Sequence, residues 1–181
     1  HIIFYLDNGW QLALSDLRKF AKVMLASKNE IENLEALKKL GPEPLEKSFD
    51  FLSFKRVIKN KKGKIKQVLM DQSVISGIGN IYSDEILWLA KVNPFKLAEK
   101  LKDSELKKIF RFIKEVLKKA VKLRGTSISD FRDLEGKPGQ YANHRYVYQR
   151  EGEKCPRCGN VIKRLKIGGR SSHFCPNCQK L

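Results

Sequence analysis

The order of apolar and polar residues along the chain predicts a hairpin, then a helical region, then short strands. Apolar runs at residues 2–6 and 10–14 flank Asp7-Asn8-Gly9, a combination typical of a β-hairpin with a tight turn. A two-stranded hairpin has little stability by itself. We therefore expect this one to be the remnant of a larger sheet.

Helical spacing dominates from about residue 30 to residue 123. The pattern predicts helices over 30–40, 51–59, 64–70, 80–90 and 104–123. Asp103 or Ser104 can cap the longest of these, and Gly125 follows its end. Its apolar face is predicted to comprise Leu106, Ile109, Phe110, Ile113, Val116, Leu117, Ala120 and Val121. Residues 125–145 are predicted to be a loop, and short strands follow from about 146.

Four cysteines near the end of the chain have the spacing C-x2-C-x16-C-x2-C. They are Cys155, Cys158, Cys175 and Cys178. Each C-x2-C turn brings two thiolates to one side, and two such turns complete a tetrahedral site. The alternatives are two disulfides or four free thiols. Because no secretory signal or membrane-length apolar run is recognisable in these residues, an oxidising compartment is unsupported. The spacing predicts one structural Zn²⁺.

The charge of the chain points to a polyanionic partner. The 181 residues contain 37 Lys and Arg against 20 Asp and Glu, a formal net charge of +17. This balance favours nucleic acid over a membrane surface, since no basic amphipathic anchor stands out. A basic run, Lys61-Lys62-Gly63-Lys64-Ile65-Lys66, is one candidate for phosphate contact. A solvated lysine-rich surface is the alternative.

A Gly-x-Gly sequence precedes the helix predicted over 80–90. Gly77 and Gly79 allow close approach of a ligand to the backbone, and Asn80 adds a side-chain donor at the helix start. The free N–H groups and positive dipole end of a helix N-terminus suit a phosphate. A glycine-containing turn between packed helices is the alternative reading.

Residues 69–85 resemble the helix–two-turns–helix of the formamidopyrimidine-DNA glycosylases, bacterial enzymes that excise oxidised purines and then cut the abasic site. The resemblance continues through residues 16–20, 40–45 and 136–139 and through Gly169-Arg170-Ser171 between the cysteine pairs. It implies a mainly α fold with small β elements. The implied domains are a β-sandwich remnant at 1–29, a helix–two-turns–helix domain at 30–145 with a lesion loop at 125–141, and a β-hairpin zinc finger at 146–181.

The resemblance also implies roles for particular residues. Arg18 and Phe20 match a loop that enters the duplex when the damaged nucleotide leaves it, although Leu17 and Lys19 depart from the family's usual Pro and Arg. Arg170 matches an arginine that holds phosphates beside the lesion and assists δ-elimination. The other implied DNA contacts are Lys61, Lys66, Gly77, Gly79 and Asn80. The implied lesion-loop residues are Thr126, Ser127, Gly136, Lys137, Gly139 and Tyr141.

The function implied is base-excision repair by a DNA glycosylase and abasic-site lyase that acts as a monomer in the bacterial cytoplasm, at the nucleoid. Its expected partner is double-stranded DNA with an oxidised base or abasic site. The family's nucleophile is an N-terminal proline followed by glutamate, whereas this sequence starts His1-Ile2-Ile3, so we expect this chain alone to be inactive. The alternatives are a non-catalytic zinc-finger DNA-binding module, the related endonuclease for oxidised pyrimidines, and an RNA-binding zinc ribbon.

Overall fold

A computed structural model describes residues 2–16, 19–31, 33–128 and 131–181. The chain forms two compact units, His1–Lys38 and Lys39–Leu181. The fold is mainly helical with two small antiparallel hairpins, as the sequence predicts. The three-domain division with boundaries after residues 29 and 145 stays a prediction.

The first unit contains the predicted hairpin. Strand β1 (Ile2–Tyr5) pairs antiparallel with β2 (Gln11–Leu14), and Ile2 lies opposite Leu14. Gly9 has a φ of +81° in the connecting turn, a conformation that favours glycine. The residues of both strands are exposed on both faces of the hairpin.

The prediction of one helix over residues 30–40 is wrong. The described residues instead form two single-turn helices, α1 (Lys28–Ile31) and α2 (Glu35–Lys38). Neither helix contains a buried residue. Short helices are marginal in water, and most helical stability in proteins comes from packing an apolar face. The helix propensity of residues 30–40 is therefore not supported by packing of an apolar face.

The second unit contains four longer helices and the second hairpin. Helices α3 (Phe51–Lys59), α4 (Ile65–Met70), α5 (Asn80–Ala90) and α6 (Asp103–Lys122) each agree with the prediction to within one residue at either end. Short 3₁₀ turns occupy Ala98–Lys100 and Tyr141–His144, and strands β3 (Lys163–Ile167) and β4 (Arg170–Phe174) pair antiparallel. No helix in the described part of the chain is both long and apolar enough to cross a bilayer.

Helix α5 is the central element of the second unit. It packs against α4, α6 and β4, and its residues from Ser83 to Trp88 are all buried. Helix α6 covers α5 with an apolar face that includes Leu106, Ile109 and Ile113. Val121 was predicted on this face, but its side chain is 68% exposed because it lies at the edge of the buried arc.

The ends of α6 are fixed by local hydrogen bonds. The carboxylate of Glu105 accepts a hydrogen bond of 2.9 Å from the backbone N–H of Lys102, so the helix begins one residue earlier than predicted. At the other end, Gly125 has a φ of +80° and its N–H donates to the carbonyl of Ala120 at 2.9 Å. A left-handed glycine of this kind stops a helix, as the sequence predicts.

A smaller apolar cluster joins the cysteine-bearing segment to α5. Trp88 stacks on the ring of Tyr146 with 4.5 Å between centroids, and the guanidinium of Arg157 lies 3.8 Å from the Trp88 ring. Val147 and Ile162 complete the cluster together with two of the cysteines. Stacking and cation–π contacts therefore hold the second hairpin's domain against the central helix.

The contrast between Ile109 and Val121 tests the packing of α6. Ile109→Ala should lower the free energy of unfolding by about 2–5 kcal/mol, because Ile109 is fully buried and its truncation leaves a cavity. Val121→Ala on the same helix should change it by less than about 0.5 kcal/mol. Urea denaturation followed by circular dichroism measures both. Equal losses would contradict this assignment of the buried face.

Candidate nucleic-acid interface

Two tight turns connect α4 to α5, and the side chain of Gln72 braces them from within. Its Nε2 donates to the carbonyl of Ile78 at 2.9 Å, and its Oε1 accepts from the N–H of Gly77 at 2.9 Å. Gly77 itself has a φ of +78°. The second turn is therefore held in a single conformation that a residue with a β-carbon rarely adopts.

The turns are also tied to residues 41–43. The N–H of Gly41 donates to the carbonyl of Gln72 at 2.7 Å, and the N–H of Ser76 donates to the carbonyl of Pro42 at 3.1 Å. A β-carbon at Gly41 would lie 2.5 Å from the carbonyl carbon of Val74. Only glycine lets the backbone at residue 41 come this close to the backbone of Val74. Residues 40–45, which share in the family resemblance, therefore support the two turns directly.

The start of α5 is open toward solvent. Gly79 occupies the N-cap position without a side-chain hydrogen bond to the first turn, and that turn contains no acidic residue. A β-carbon built at Gly77 or Gly79 would meet nothing within 4 Å. The N–H groups of the first turn therefore keep both their hydrogen-bonding capacity and the positive end of the helix dipole for an anion.

The four cysteines converge as the spacing predicts. Their sulfurs lie within 4.8 Å of one another, with 4.0 Å between Cys155 and Cys178 and 3.5 Å between Cys158 and Cys175. These separations exceed the roughly 2.05 Å of a disulfide and bracket the roughly 3.8 Å edge of a tetrahedral zinc–thiolate site. The four cysteines thus fit one structural Zn²⁺ and form its binding site.

Hydrogen bonds around the cysteines favour the thiolate at one ligand. The backbone N–H of Asn160 and the side chain of Asn177 hold the pKa of the Cys158 thiol at about 6, below its usual range. Two backbone hydrogen bonds close the first turn, from Gly159 to Cys155 at 2.9 Å and from Cys155 to Asn160 at 2.7 Å. Burial raises the pKa of the Cys175 and Cys178 thiols, so binding of zinc, which takes the deprotonated thiol, must release their protons.

The zinc site supports the β3–β4 hairpin, which presents Arg170. Gly168 and Gly169 form its turn with φ values of 54° and 75°, the pair of left-handed conformations that a two-residue hairpin turn needs. Arg170 follows this turn at the start of β4 and is exposed. Within the described residues its guanidinium makes no hydrogen bond or ion pair, so it is available for a ligand.

A buried carboxylate joins this hairpin to α5. Asp84 accepts hydrogen bonds from the hydroxyl of Ser172 at 2.9 Å and from the backbone N–H of His173 at 2.8 Å. The ammonium of Lys66 lies 2.7 Å from Asp84 and donates to the carbonyl of Ser171, also at 2.7 Å. Both charged side chains are fully buried. Asp84 therefore sets the position of β4 relative to the helix.

The predicted DNA contact of Lys66 is wrong. Its side chain is inaccessible to solvent, and burial lowers its pKa while the carboxylate of Asp84 opposes that shift. A sequence match could not distinguish this lysine from Lys61, which lies five residues earlier and is partly exposed. Its burial and its ion pair with Asp84, 18 residues away, distinguish Lys66 from Lys61. Lys66 holds the hairpin rather than a phosphate.

Glu85 attaches residues 146–148 to α5, as Asp84 attaches β4. Its carboxylate accepts three backbone N–H groups, from Tyr146 at 2.7 Å, Val147 at 3.0 Å and Tyr148 at 2.9 Å. Burial raises the pKa of Glu85 above its usual value, and the three N–H groups oppose that rise. The sequence reading missed both acids. The available signal was an Asp-Glu pair within an otherwise apolar helix.

Asn80 and Arg170 meet at one polar cavity of about 320 Å³. Tyr148 and His173 also line it, and the amide of Asn80 donates to the hydroxyl of Tyr148 at 3.4 Å. The Oδ1 atom of Asn80 is buried without a hydrogen-bond partner. The cavity therefore combines an uncapped helix start, an unused amide oxygen and an exposed guanidinium, which can together hold a phosphate and the hydrogen-bonding groups beside it.

The predicted lesion loop is anchored at its base. Thr126 pairs with Gln140, and its hydroxyl lies 3.0 Å from that of Tyr82. The hydroxyl of Ser127 accepts from the N–H of Gly139 at 2.8 Å, so this amide is already used. Gly136 and Lys137 are exposed at the far end of the loop.

Tyr141 has a different place from the one predicted. Its ring is only 1% exposed and packs edge-on against Tyr82 with 5.2 Å between centroids. Burial raises the pKa of its hydroxyl. The side chain belongs to the core and fixes the end of the loop, so it is not a surface for base contact.

The predicted wedge residues lie in the first unit. Phe20 is 73% exposed, and its backbone N–H donates to Asp16 at 2.7 Å. Arg18 lies outside the described residues. An exposed phenyl ring is compatible with insertion between bases, and this role of Phe20 stays a prediction.

The zinc site gives a direct test. Cys158→Ser should abolish zinc binding and unfold the finger, because so small a domain folds only with its metal. Zinc stoichiometry by elemental analysis should fall from about one per chain to near zero. Lys180→Gln, an exposed change beside the same cysteines, is the control and should keep its zinc. A Cys158→Ser protein with full zinc content would contradict the prediction.

The buried ion pair gives a second test. Asp84→Asn should lower the free energy of unfolding by about 3–5 kcal/mol, because it leaves the ammonium of Lys66 buried without its counter-charge. The control is Asp103→Asn, which removes a half-exposed partner of Lys55 and Lys59 and should cost less than about 1 kcal/mol. Denaturant titration measures both. Similar losses would show that the buried pair has no special role.

Two family descriptions match the chain. Residues 40–132, just over half of it, match the "Formamidopyrimidine-DNA glycosylase H2TH domain", and residues 152–181 match the "Zinc finger found in FPG and IleRS". The first match covers the two turns and α3 to α6. The second covers the cysteines and Arg170.

Curated relatives extend the match to the whole chain. The formamidopyrimidine-DNA glycosylase of Pelotomaculum thermopropionicum is 42% identical over 181 residues, which is 100% of this chain and 66% of the relative. That of Desulforamulus reducens is 42% identical over 180 residues, 99% of this chain and 65% of the relative. The chain thus spans slightly less than two thirds of these relatives.

Solved structures agree. The complex between Lactococcus lactis Fpg and DNA containing an abasic site superposes with a TM-score of 0.87 at 41% identity, covering 94% of this chain and 63% of the other. The MutM (Fpg) protein of Thermus thermophilus gives a TM-score of 0.76 at 42% identity, covering 81% and 56%. With the domain matches and the zinc-binding cysteines, these likenesses lead to one conclusion: the chain belongs to the formamidopyrimidine-DNA glycosylase family.

Proposed function

We propose that this chain is the DNA-holding part of a base-excision repair enzyme. The observation that carries the proposal is the convergence of Asn80 and Arg170 on one polar cavity, between the open start of α5 and the zinc-supported hairpin. The ligand would be a duplex containing an oxidised base or an abasic site. The relatives' names and the DNA complexes among the similar structures support the choice of damaged DNA over other polyanions.

Each part of the cavity has a separate task in this proposal. The guanidinium of Arg170 would form paired hydrogen bonds to a backbone phosphate, a geometry that arginine suits better than lysine. The N–H groups of the first turn of α5 would bind a second phosphate. Lys61, partly exposed before α4, would add a less directional charge contact.

The lesion-contacting residues belong to the same proposal. Phe20 and Arg18 would fill the gap left by an extruded nucleotide, with the phenyl ring replacing lost stacking and the guanidinium bonding to the unpaired base. Thr126, Ser127, Gly136 and Lys137 would close over the extruded base. Tyr141 fixes the base of their loop, and Gly136 and Lys137 are exposed at its far end, where they can meet a ligand.

We further propose that the complete protein is a glycosylase that removes oxidised purines and cleaves the abasic site by β,δ-elimination. In this scheme Arg170 assists the second elimination by holding the departing phosphate. The zinc ion shapes the finger and takes no part in bond breaking. The protein would act as a monomer in the bacterial cytoplasm, at the nucleoid, where reducing conditions keep its cysteines as metal ligands.

The 181 residues themselves should bind damaged DNA without cutting it. The cavity offers a guanidinium, an amide and helix N–H groups, which suit phosphates, and no lysine among the described residues lines it to supply an amine nucleophile. A non-catalytic DNA-binding module is therefore the second candidate for this chain. The related endonuclease for oxidised pyrimidines is a third, and the Gly-Lys-Pro-Gly sequence at 136–139 favours the purine enzyme by resemblance.

Arg170→Ala tests the binding role. We expect it to weaken binding to a duplex with a stable abasic-site analogue by about 1–3 kcal/mol, the range for losing a charge-assisted hydrogen bond. Lys163→Ala, an exposed cation at the far end of the same hairpin, is the control and should change affinity by less than about 0.5 kcal/mol. Fluorescence anisotropy at moderate salt measures both. Wild-type affinity for Arg170→Ala would remove the main support of the proposal.

Borohydride trapping separates binding from catalysis in the same protein. A Schiff base formed with oxoguanine-containing duplex would be reduced to a stable covalent adduct. We expect salt-sensitive binding and no adduct from this chain. An adduct would contradict the binding-only reading, and preference for intact RNA over abasic-site DNA would contradict both DNA-based readings.

A further inference from the structure

Helix α6 carries a dense group of cations on the face that does not pack. Its seven basic residues are Lys107, Lys108, Arg111, Lys114, Lys118, Lys119 and Lys122. All are exposed except Lys114, which is partly buried. At 100° per residue, the seven lie within an arc of about 140°, opposite the apolar residues that face the core. We call this surface the α6 basic stripe.

The stripe is long enough to follow a nucleic-acid backbone. Lys107 and Lys122 are separated by about 22 Å along the helix at 1.5 Å per residue. Duplex DNA carries one negative charge per roughly 1.7 Å of its axis, so a surface of this length faces many phosphates. The spacing of cations along one rigid helix therefore matches the extended charge of a duplex better than that of a small anion.

Little of this charge is neutralised within the protein. Glu115 is the acidic residue inside the arc, and it lies 3.9 Å from Arg111. The acids at the start of α6 bind cations from elsewhere, since Asp103 pairs with Lys55 and Lys59 and Glu105 with Lys96. Among the described residues, no hydrogen bond or ion pair engages the side chains of Lys108, Lys118, Lys119 and Lys122.

The stripe is separate from the cavity that holds Asn80 and Arg170. No α6 residue lines that cavity, and α6 packs on α5 through its opposite, apolar face. A phosphate held in the cavity therefore does not contact the stripe. A contact at the stripe adds to the function proposed above.

We propose that the α6 basic stripe is a second, sequence-independent binding surface for duplex DNA, which lets one molecule hold two duplex segments. The exposed groups are mainly lysines, which attract phosphates without fixed geometry and read no base. The aromatic side chain at the edge of the stripe, Phe112, is partly buried, and the guanidinium of Arg111 lies 5.3 Å from the centre of its ring. Without an open stacking surface, the stripe suits duplex over single strands.

A two-duplex capture assay tests the proposal. The 181-residue chain is bound to an immobilised short duplex with an abasic-site analogue, and a fluorescent intact duplex is then added. Wild type should retain the second duplex at low salt. The triple variant Lys118→Gln/Lys119→Gln/Lys122→Gln should retain at least roughly fivefold less, and its salt slope for the second duplex should fall by about 2–3. Its affinity for the first duplex should change less than about twofold.

A matched control separates the stripe from net charge. Lys100→Gln/Lys154→Gln/Lys180→Gln removes the same charge from exposed positions outside α6 and should retain the second duplex as wild type does. Circular dichroism should show both triples folded, since all six side chains are on the surface. The proposal is overturned if wild type captures no second duplex, if the α6 triple captures it normally, or if both triples lose it equally. Arg170→Ala weakens only the first contact, so a failure of the cavity is distinguishable.

Discussion

The carboxylate of Asp84 is the point on which the candidate interface depends. It lies fully buried between α5 and β4 and binds Lys66, Ser172 and the backbone of His173. Burying a charge costs free energy unless polar partners surround it. These contacts therefore fix the position of the hairpin on the helix. Hydrophobic burial brings the two elements together, and the polar contacts fix how they meet.

The position of the hairpin on α5 determines the geometry of the cavity. Asn80 lies one helical turn before Asp84, and Arg170 lies two residues before Ser172 on β4. Asn80 and Arg170, the residues proposed to hold DNA, thus lie on the same two elements, α5 and β4, that Asp84 joins. The zinc site contributes the internal rigidity of the hairpin's domain, and Glu85 adds the attachment of residues 146–148. Asp84, the zinc site and Glu85 therefore fix the backbone that carries Arg170, while its side chain stays exposed.

Helix α6 has two tasks that its sequence keeps on opposite sides. Its apolar residues cover α5, and its cations face outward with few acids to neutralise them. A helix placed only to complete a core needs a polar outer face, but not one so uniformly positive. The net charge of +17 is therefore unevenly distributed over the protein, since one helix carries seven of its cations.

The sequence by itself determined the features that rest on local pattern. Helices α3 to α6, the first hairpin and the four cysteines follow from spacing and turn residues close together in the chain. Only the tertiary structure decided that Lys66 is a buried partner of Asp84, that Tyr141 is core and that residues 28–38 form two short helices. Each of these outcomes depends on which distant residues cover a side chain, and burial by distant residues leaves no trace in a local pattern.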